Sequence, residues 1–371
     1  MTLSPLARDV FGVRFQNPIV LASGTAGYGR ELDGVMELDR LGGLVTKAVS
    51  LQPRVGNAPP RVAEFRGGML NSVGLANPGL AHVREAEMPW LLGRLRAARV
   101  LVNVVGFTLE EYAAVIEGLD DLDGITAYEL NLSCPNTAAG GIEFGADPAS
   151  VSAIIARCRR VTKRPLVAKV SPVLPDIAGM AVVARDAGAD AVSVVNTLPG
   201  LALDPQGVPR LGNGNGGASG PALLPAGVLA VRRVRERAAD LPVIGLGGVR
   251  SADDARQYLA AGASLVGIGT GAMADARLPG GIIRDLERRH GGDDPGARRG
   301  LGGCRTPVAR PAPGPAVGQG RIGPDDARRR SIPCRIACAG ARALSRPQVA
   351  RHSQHRGRRR LGRGGAWRVH G

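Results

Sequence analysis

The chain has 371 residues, of which 44% are hydrophobic, and a formal net charge of +16. Residues 291–371 contain eighteen arginines, four aspartates and no lysine or glutamate, so this segment carries +14 of that charge. The first 290 residues are nearly neutral. The high positive charge of the whole chain is therefore no evidence that this part of it binds nucleic acid.

Short apolar runs bounded by turn residues recur along the first 270 residues, with segments of helical length between them. Their near-continuous valine, leucine, isoleucine and alanine content is typical of parallel strands that are buried on both faces. Helical period is clear over 150–160 and 177–187. The pattern predicts an α/β fold, a (β/α)8 TIM barrel, with a doubly wound sheet as the alternative. The predicted strands are 18–22, 43–46, 100–105, 125–130, 166–170, 191–195, 242–246 and 265–268.

The C-terminal segment differs in composition from the rest of the chain. Residues 291–371 are rich in arginine, glycine and proline and lose the periodic pattern, so we predict that they are disordered. Because the segment also lacks lysine, glutamate, phenylalanine and tyrosine, a shifted reading frame is the second interpretation, and a basic arm that contacts RNA or an acidic partner is the third. The last predicted helix, 281–289, is short, and apolar surface beside the first and eighth strands is expected to be uncovered.

Polar or glycine residues follow every predicted strand. In a (β/α)8 barrel the active site lies at the carboxyl ends of the strands. One such residue alone would be ordinary loop polarity, but eight in succession predict a site there. They are Ser23-Gly24-Thr25, Lys47, Asn103, Asn131 with Cys134, Lys169, Asn196-Thr197, Gly247-Gly248 and Gly269-Thr270.

The chain has three lysines, and two of them, Lys47 and Lys169, follow predicted strands. An ammonium at the barrel mouth needs an anion, which a substrate carboxylate or an electron-rich cofactor would supply. The alternative for Lys47 is a structural ion pair with a buried carboxylate. Lys163 is predicted to be a solvated surface charge.

Two glycine-rich turns follow the seventh and eighth strands: the first glycine turn is 245–248 and the second is 267–271. Exposed backbone N–H groups at these positions are typical of the phosphate site of this barrel class. The second turn is a poor match to a dinucleotide fingerprint, because no second strand with an acidic end follows it. A phosphate-bearing cofactor such as FMN fits better.

Cys134 lies in the run Asn-Leu-Ser-Cys-Pro-Asn, residues 131–136, ahead of a glycine-containing loop. A thiol here can act as a base, a nucleophile or an inert small hydrophobe. Only His82 and His290 precede residue 291 and neither follows a strand, so general-base chemistry by Cys134 is favoured over a Cys–His pair. Neither Cys134 nor Cys158 has the spacing of a disulfide framework or cluster ligand.

With no signal region or apolar run of about 18 residues, we expect a cytoplasmic protein without a membrane span.

Several separated motifs resemble the dihydroorotate dehydrogenases over roughly residues 10–289. They are 17–24, 46–54, 71–79, the run 131–136, 196–197, 217–221 and the two glycine turns. In having a cysteine at position 134 the chain resembles the class 1 enzymes of this family. Its segment 140–145 is most similar to the catalytic subunit of class 1B. Dihydropyrimidine dehydrogenases share much of this pattern and are an alternative.

The resemblance implies that residues 1–290 form an FMN-binding barrel that oxidises dihydroorotate to orotate in the biosynthesis of UMP. Cys134 would remove the C5 proton as general base while a hydride passes from C6 to FMN, and no metal is implied. The flavin would be held by Ser23, Lys47, Ala48, Asn103, Asn131, Lys169, Val195, Gly220, Gly247, Gly248, Gly269 and Thr270. The substrate would be held by Lys47, Asn71, Ser72, Val73, Gly74, Leu75, Asn131, Asn136, Asn196 and Thr197.

Class 1B membership also implies a partner: an electron-transfer subunit with FAD and a 2Fe-2S cluster that reduces NAD, within a homodimer or heterotetramer. Fumarate would be the acceptor in class 1A. The residues themselves leave two rivals open. One is an aldolase-type barrel that forms a Schiff base through Lys47 or Lys169, and the other is a basic-tailed RNA-binding protein with a degenerate barrel.

Overall fold

The structure is a computed structural model that describes residues 4–132, 135–136 and 142–290. Cys134, residues 137–141 and the segment 291–371 therefore lie outside the described residues. The described strands are β1 Arg8–Val10, β2 Val13–Phe15, β3 Ile19–Leu21, β4 Gly43–Val45, β5 Val62–Phe65, β6 Gly68–Asn71, β7 Arg99–Val104, β8 Ile125–Asn131, β9 Pro135–Asn136, β10 Ile142–Glu143, β11 Leu166–Lys169, β12 Ala191–Val194, β13 Leu198–Gly200, β14 Gly216–Ser219, β15 Val243–Leu246 and β16 Leu265–Ile268.

The described α-helices follow the barrel strands except β3, which is followed by two short 3-10 helices, Arg30–Leu32 and Leu38–Arg40. The α-helices are α1 Gly79–His82, α2 Met88–Arg94, α3 Leu109–Glu117, α4 Pro148–Arg159, α5 Ile177–Asp186, α6 Leu224–Arg237, α7 Ala252–Ala261, α8 Thr270–Ala274 and α9 Leu278–His290, with a π-helical turn, Val83–Glu87, between α1 and α2. Several begin at side-chain caps: Thr108 accepts the backbone N–H of Glu111 at α3, and Ser251 accepts that of Asp254 at α7. No helix in the described part of the chain is long and apolar enough to cross a membrane.

Eight parallel strands close into a barrel in the order β3-β4-β7-β8-β11-β12-β15-β16, and β16 pairs back to β3. Each predicted strand agrees with its barrel strand to within one residue at either end. The TIM-barrel prediction is confirmed, and the doubly wound alternative is wrong. The predicted helices over 150–160 and 177–187 are confirmed as α4 and α5.

The barrel interior is apolar through its lower part, and the β1–β2 hairpin packs against it there. Val10 and Phe15 of the hairpin belong to the same buried cluster as inward-facing residues of the barrel strands. Those residues are Val20, Val45, Leu101, Ala127, Val167, Ala191, Ile244 and Leu265. A larger apolar cluster fills the space between the barrel and the surrounding helices.

Helix α9 covers the apolar surface that the sequence suggested was bare. It begins at Leu278, three residues earlier than predicted, and its Ile282, Ile283 and Leu286 are buried at 2–3% exposure. Ile19 and Val266 of the first and eighth barrel strands belong to the apolar cluster between barrel and helices and have no exposed surface. The expectation of uncovered apolar surface is therefore wrong, because the extra turn lets α9 pack on α7 and α8.

A four-stranded antiparallel sheet, in the order β13-β14-β6-β5, lies at the carboxyl end of the barrel; we call it the mouth sheet. It is built from the segments that follow β4 and β12, so it brings two distant loops together. The Thr270 hydroxyl, just after β16, lies 2.7 Å from that of Ser219 in β14 and ties this sheet to the barrel.

Candidate active site

Four neighbouring barrel strands each place one polar residue at the same level of the interior. Two residues earlier, the same strands carry the apolar residues Leu101, Ala127, Val167 and Ala191. Because side chains alternate along a strand, both sets point inward. The upper set, which we call the polar layer, consists of Asn103 in β7, Glu129 in β8, Lys169 in β11 and Ser193 in β12.

Glu129 is the centre of the polar layer. Its carboxylate accepts a hydrogen bond from Asn103 Nδ2 to Oε1 at 2.8 Å and one from the Ser193 hydroxyl to Oε2 at 2.7 Å. Lys169 Nζ lies 3.6 Å from the same Oε1. Glu129 is 1% exposed and Lys169 is 8% exposed. A buried charge is costly unless it is paired, so these two residues depend on each other.

The two strand-end lysines differ in their partners. Lys47 is half-buried, and no described carboxylate lies within 4.0 Å of its ammonium, so the structural ion pair considered for it is not supported. Its backbone N–H donates to the Gly27 carbonyl at 2.7 Å, which fixes the start of the side chain. Lys163 is exposed, as predicted. Lys47 therefore brings a positive charge to the mouth without a described counter-charge.

The other strand-end residues predicted for the flavin are joined across neighbouring strands. The Ser23 hydroxyl donates to the Thr46 carbonyl at 2.9 Å, and the Tyr28 hydroxyl donates to the carbonyl of Ala48 at 3.1 Å. The Val195 N–H donates to the Leu246 carbonyl at 3.3 Å. These contacts hold the loops after β3, β4 and β12 against the barrel rim.

The first glycine turn is held from behind by Tyr258 of α7. The Tyr258 hydroxyl lies 2.7 Å from the Leu246 carbonyl oxygen and 2.8 Å from that of Gly247, and it donates to this pair. A Cβ on Gly245 would lie 2.4 Å from the Tyr258 ring, so this glycine makes room for the tyrosine. Gly248 has φ +75°, and its Cβ would lie 2.6 Å from the Leu224 nitrogen. Packing thus explains two of these glycines.

The second glycine turn is different, because packing does not explain Gly269. The nearest atoms to a Cβ added at Gly269 would be Ala22 Cβ and Thr25 Oγ1, both at the ordinary contact distance of 3.7 Å. The glycine leaves room for another group to approach the backbone. Gly220, which has φ +127° and follows Ser219, lies on the mouth sheet beside this turn.

The mouth sheet brings together two residues that were predicted to hold the substrate. Asn71, the last residue of β6, pairs with Gly217 of β14, and its Nδ2 donates to the Gly217 carbonyl at 3.2 Å. A Cβ on Gly217 would lie 2.0 Å from Thr197 Oγ1, so Thr197 packs against the same glycine. Asn71 and Thr197, which are 126 positions apart in the sequence, therefore flank one backbone position.

The remaining predicted substrate residues follow these elements. Asn57 Nδ2 donates to the Ser72 hydroxyl at 2.9 Å, and the Asn57 N–H donates to the Val73 carbonyl at 3.1 Å, which shapes the segment 72–75. Gly74 and Leu75 both have positive φ, +69° and +58°.

Three asparagines complete the predicted substrate set. Asn131 ends β8 and accepts the Tyr112 hydroxyl on its carbonyl at 2.7 Å; Asn196 Oδ1 accepts the Thr197 N–H at 2.8 Å. Asn136 pairs with Ile142 in a small hairpin, and its side chain is not described. All the described site residues thus reach one end of the barrel.

Comparison with known proteins identifies this arrangement. Residues 5–289 match the family model for dihydroorotate dehydrogenase. The chain belongs to the dihydroorotate dehydrogenase family. It is a flavin-dependent oxidoreductase of pyrimidine biosynthesis, as are the members of this family. The predicted resemblance is confirmed, and the aldolase-type barrel and the degenerate RNA-binding barrel are wrong.

The chain matches several curated relatives over most of their length. A dihydroorotate dehydrogenase B (NAD(+)), catalytic subunit, from Pelobacter propionicus is 44% identical over 281 residues, which are 76% of this chain and 91% of the relative. The protein of the same name from Geobacter sulfurreducens is 42% identical over 284 residues, 76% and 92% of the two chains. A Solibacter usitatus protein with the provisional name dihydroorotate dehydrogenase A (fumarate) is 45% identical, with the same coverage.

The polar layer fits a flavin. Asn103 Oδ1 is buried and has no hydrogen-bond partner among the described residues, although its amide nitrogen is bonded to Glu129. Buried polar atoms in native proteins are normally paired, so this oxygen calls for a donor. The pyrimidine part of a flavin has an N–H between two carbonyl groups, which matches an acceptor beside a cation. The polar layer thus offers a flavin a buried acceptor and a cation.

Sequence reasoning missed Glu129, Ser193 and Tyr258. A signal for Glu129 was available, since it is a charged residue inside an otherwise apolar strand, two positions before Asn131. Ser193 and Tyr258 look like ordinary strand and helix residues, and only their contacts reveal their role. A groove of about 590 Å³, lined by Gln52, Arg84 and Asp121 among others, contains none of the predicted site residues.

Proposed function

We propose that this chain catalyses the FMN-dependent oxidation of dihydroorotate to orotate. The observation that carries the proposal is that the buried Lys169 ammonium and the amide of Asn103, whose Oδ1 is unpaired, both lie at the Glu129 carboxylate inside the barrel. FMN, when bound, supplies the acceptor for the hydride that leaves C6. Domain 1–290 would be the whole FMN-binding unit.

Asn103 and Lys169 would hold the pyrimidine edge of FMN, with Asn131 nearby in the adjacent strand register. The phosphate would be held through backbone N–H groups of Gly247, Gly248, Thr270 and Gly269, where an added Cβ would meet no atom closer than 3.7 Å. The joined rim loops would supply the remaining contacts, which are those of Ser23, Lys47, Ala48, Val195 and Gly220.

The substrate has one carboxylate and several amide-like groups, and the mouth offers matching partners. Lys47 has no described carboxylate partner, so it is suited to bind the substrate carboxylate. Asn71 and Thr197, brought together by Gly217, and Asn131, Asn136 and Asn196 offer donors and acceptors for the ring amides. The segment 72–75, including Ser72, Val73, Gly74 and Leu75, would close one side of the ligand.

Cys134 would remove the C5 proton as general base. Cys134 itself lies outside the described residues, and the support comes from the strand end at Asn131 that precedes it. The other thiol in the barrel domain, Cys158, is buried in the helix layer, where burial raises its pKa to about 12. Cys158 is therefore a structural residue, and Cys134 is the thiol available for this step.

The electron acceptor would be reached through a partner. The relatives named dihydroorotate dehydrogenase B (NAD(+)), catalytic subunit, support a separate subunit, for which we propose FAD and a 2Fe-2S cluster that pass electrons to NAD. The Solibacter name supports fumarate as the alternative acceptor. A homodimer or heterotetramer in the cytoplasm is part of this proposal.

An anaerobic visible spectrum of the purified chain tests the function. We expect a flavin band that bleaches when dihydroorotate is added and returns when an acceptor is supplied. Return with fumarate alone would favour the class 1A acceptor, whereas a requirement for NAD and the partner subunit would favour class 1B. A flavin band that dihydroorotate leaves unchanged would refute the proposed substrate.

A further inference from the structure

Glu129 is a buried carboxylate whose role neither substrate nor cofactor binding explains. It is fixed from two sides, by Asn103 Nδ2 on Oε1 and by the Ser193 hydroxyl on Oε2. Residues of β7 and β12 thus hold a carboxylate of β8 in one orientation inside the barrel. Because the Glu129 carboxylate is held in one orientation, it also fixes the orientation of the side chains that are hydrogen-bonded to it.

The first consequence is the orientation of Asn103. A carboxylate only accepts hydrogen bonds, so it selects the orientation of the amide in which Nδ2 faces Glu129. Oδ1 then points away from the carboxylate, and it is the buried oxygen without a described partner. Glu129 therefore determines that Asn103 presents an acceptor, and not a donor, to the flavin position.

The second consequence is the charge at Lys169. Glu129 is the only described carboxylate within 4.0 Å of the Lys169 ammonium. At 3.6 Å the separation is longer than a hydrogen bond, so Glu129 offsets the charge without engaging a lysine N–H donor. The N–H groups of Lys169 thus stay available to the flavin. The negative charge of Glu129 reduces the net electrostatic effect of the lysine on the flavin.

We propose that Glu129 is a positioning residue that lowers the reduction potential of the bound flavin by offsetting the charge of Lys169. The inference rests on the proposed function. When the flavin takes two electrons from the substrate with one proton, its ring gains one negative charge. Lys169 stabilises that charge, and Glu129 opposes it. Loss of the Glu129 charge should therefore make the flavin easier to reduce.

The test is the midpoint potential of bound FMN in the full-length wild type and in Glu129→Gln. Glutamine keeps an oxygen for Asn103 Nδ2 and removes only the charge. We expect the ratio of reduced to oxidised flavin at a fixed ambient potential to rise at least tenfold, which is about 30 mV for a two-electron couple. The matched control is Glu110→Gln, which removes an exposed carboxylate paired with Arg157 on the outer helices and should leave the potential unchanged.

An unchanged potential in folded, flavin-loaded Glu129→Gln would overturn the inference, and so would an equal rise in Glu110→Gln. If the unpaired lysine prevents Glu129→Gln from folding, Lys169→Gln is compared with the double variant Glu129→Gln/Lys169→Gln. Asn103 and Ser193 still donate to the carboxylate in Lys169→Gln, so its potential should be at least about 30 mV below that of the double variant. Equal potentials would refute the role of Glu129.

The wild type separates this inference from the proposed function. A wild type without FMN, or one that dihydroorotate does not reduce, overturns both. A wild type that dihydroorotate reduces normally, together with an unmoved variant potential, overturns the role of Glu129 alone. A merely structural Glu129 would change stability but not the potential of the flavin that remains bound.

Discussion

Replacing Tyr258 with phenylalanine tests how the first glycine turn is held in place. Tyr258 has no exposed surface, and its hydroxyl is shared between the Leu246 and Gly247 carbonyl oxygens. Leu246 keeps a second donor, the Val195 N–H, whereas no other described donor reaches the Gly247 oxygen. Tyr258→Phe therefore removes a hydrogen bond and leaves the partly buried Gly247 carbonyl without a described donor, which costs about 1–3 kcal/mol.

For a domain of this size, about 1 kcal/mol lowers the melting temperature by roughly 2 °C, so the expected decrease is about 2–6 °C. The assay is thermal unfolding by circular dichroism at one scan rate, with and without saturating FMN. Because the turn is proposed to hold the phosphate, FMN affinity should also fall.

Tyr128→Phe is the matched control for this prediction. Tyr128 is equally buried, but its hydroxyl makes no hydrogen bond of standard geometry with a described residue, and its looser contact with Asp120 does not involve the first glycine turn. Its loss should lower the free energy of unfolding by about 0.5 kcal/mol, less than in Tyr258→Phe, because no backbone carbonyl is left unpaired. Equal decreases in the two variants would refute the reasoning, because the loss would then follow from removing a buried hydroxyl and not from the turn.

Three further predictions concern residues of the proposed site. Cys134→Ala should lower turnover by about 10²- to 10⁴-fold and keep the flavin bound. Cys158→Ala should affect only stability. Steady-state rates and flavin spectra distinguish the two outcomes. At pH 8, iodoacetamide should label Cys134 in the folded enzyme but not Cys158, whose pKa is raised to about 12 by burial and whose thiol is protonated below that value; peptide mass spectrometry measures both. Gly269→Ala should fold normally but bind FMN at least tenfold more weakly. Gly248→Ala should fail to fold stably, because only at Gly248 would the new Cβ meet backbone atoms at 2.6 Å. Normal FMN affinity in Gly269→Ala would contradict the assignment of Gly269 to the phosphate site.

The sequence by itself determined the barrel and its active end. Near-continuous apolar strands with helices between them can be buried on both faces in few architectures, and the residue after each strand is placed at one end by connectivity alone. Lys47, Asn103 and Lys169 could therefore be assigned to the site without coordinates. The periodicity needed for this inference is local, and it survives in a single sequence.

Tertiary structure alone decided how those residues are paired. The mouth sheet joins segments more than a hundred residues apart, and its strand β14 contains two glycines and has weak strand propensity, so no local pattern indicates it. The extent of α9 was likewise determined by apolar packing on α7 and α8.

The polar layer shows the same division. The sequence contains Glu129, but its role depends on Asn103, Ser193 and Lys169 arriving from three other strands at one level of the barrel. That level is set by strand register, which depends on the packing of the whole barrel and not on local sequence. A buried charge acquires its function from the groups that surround it, and only the closed barrel brings those groups together.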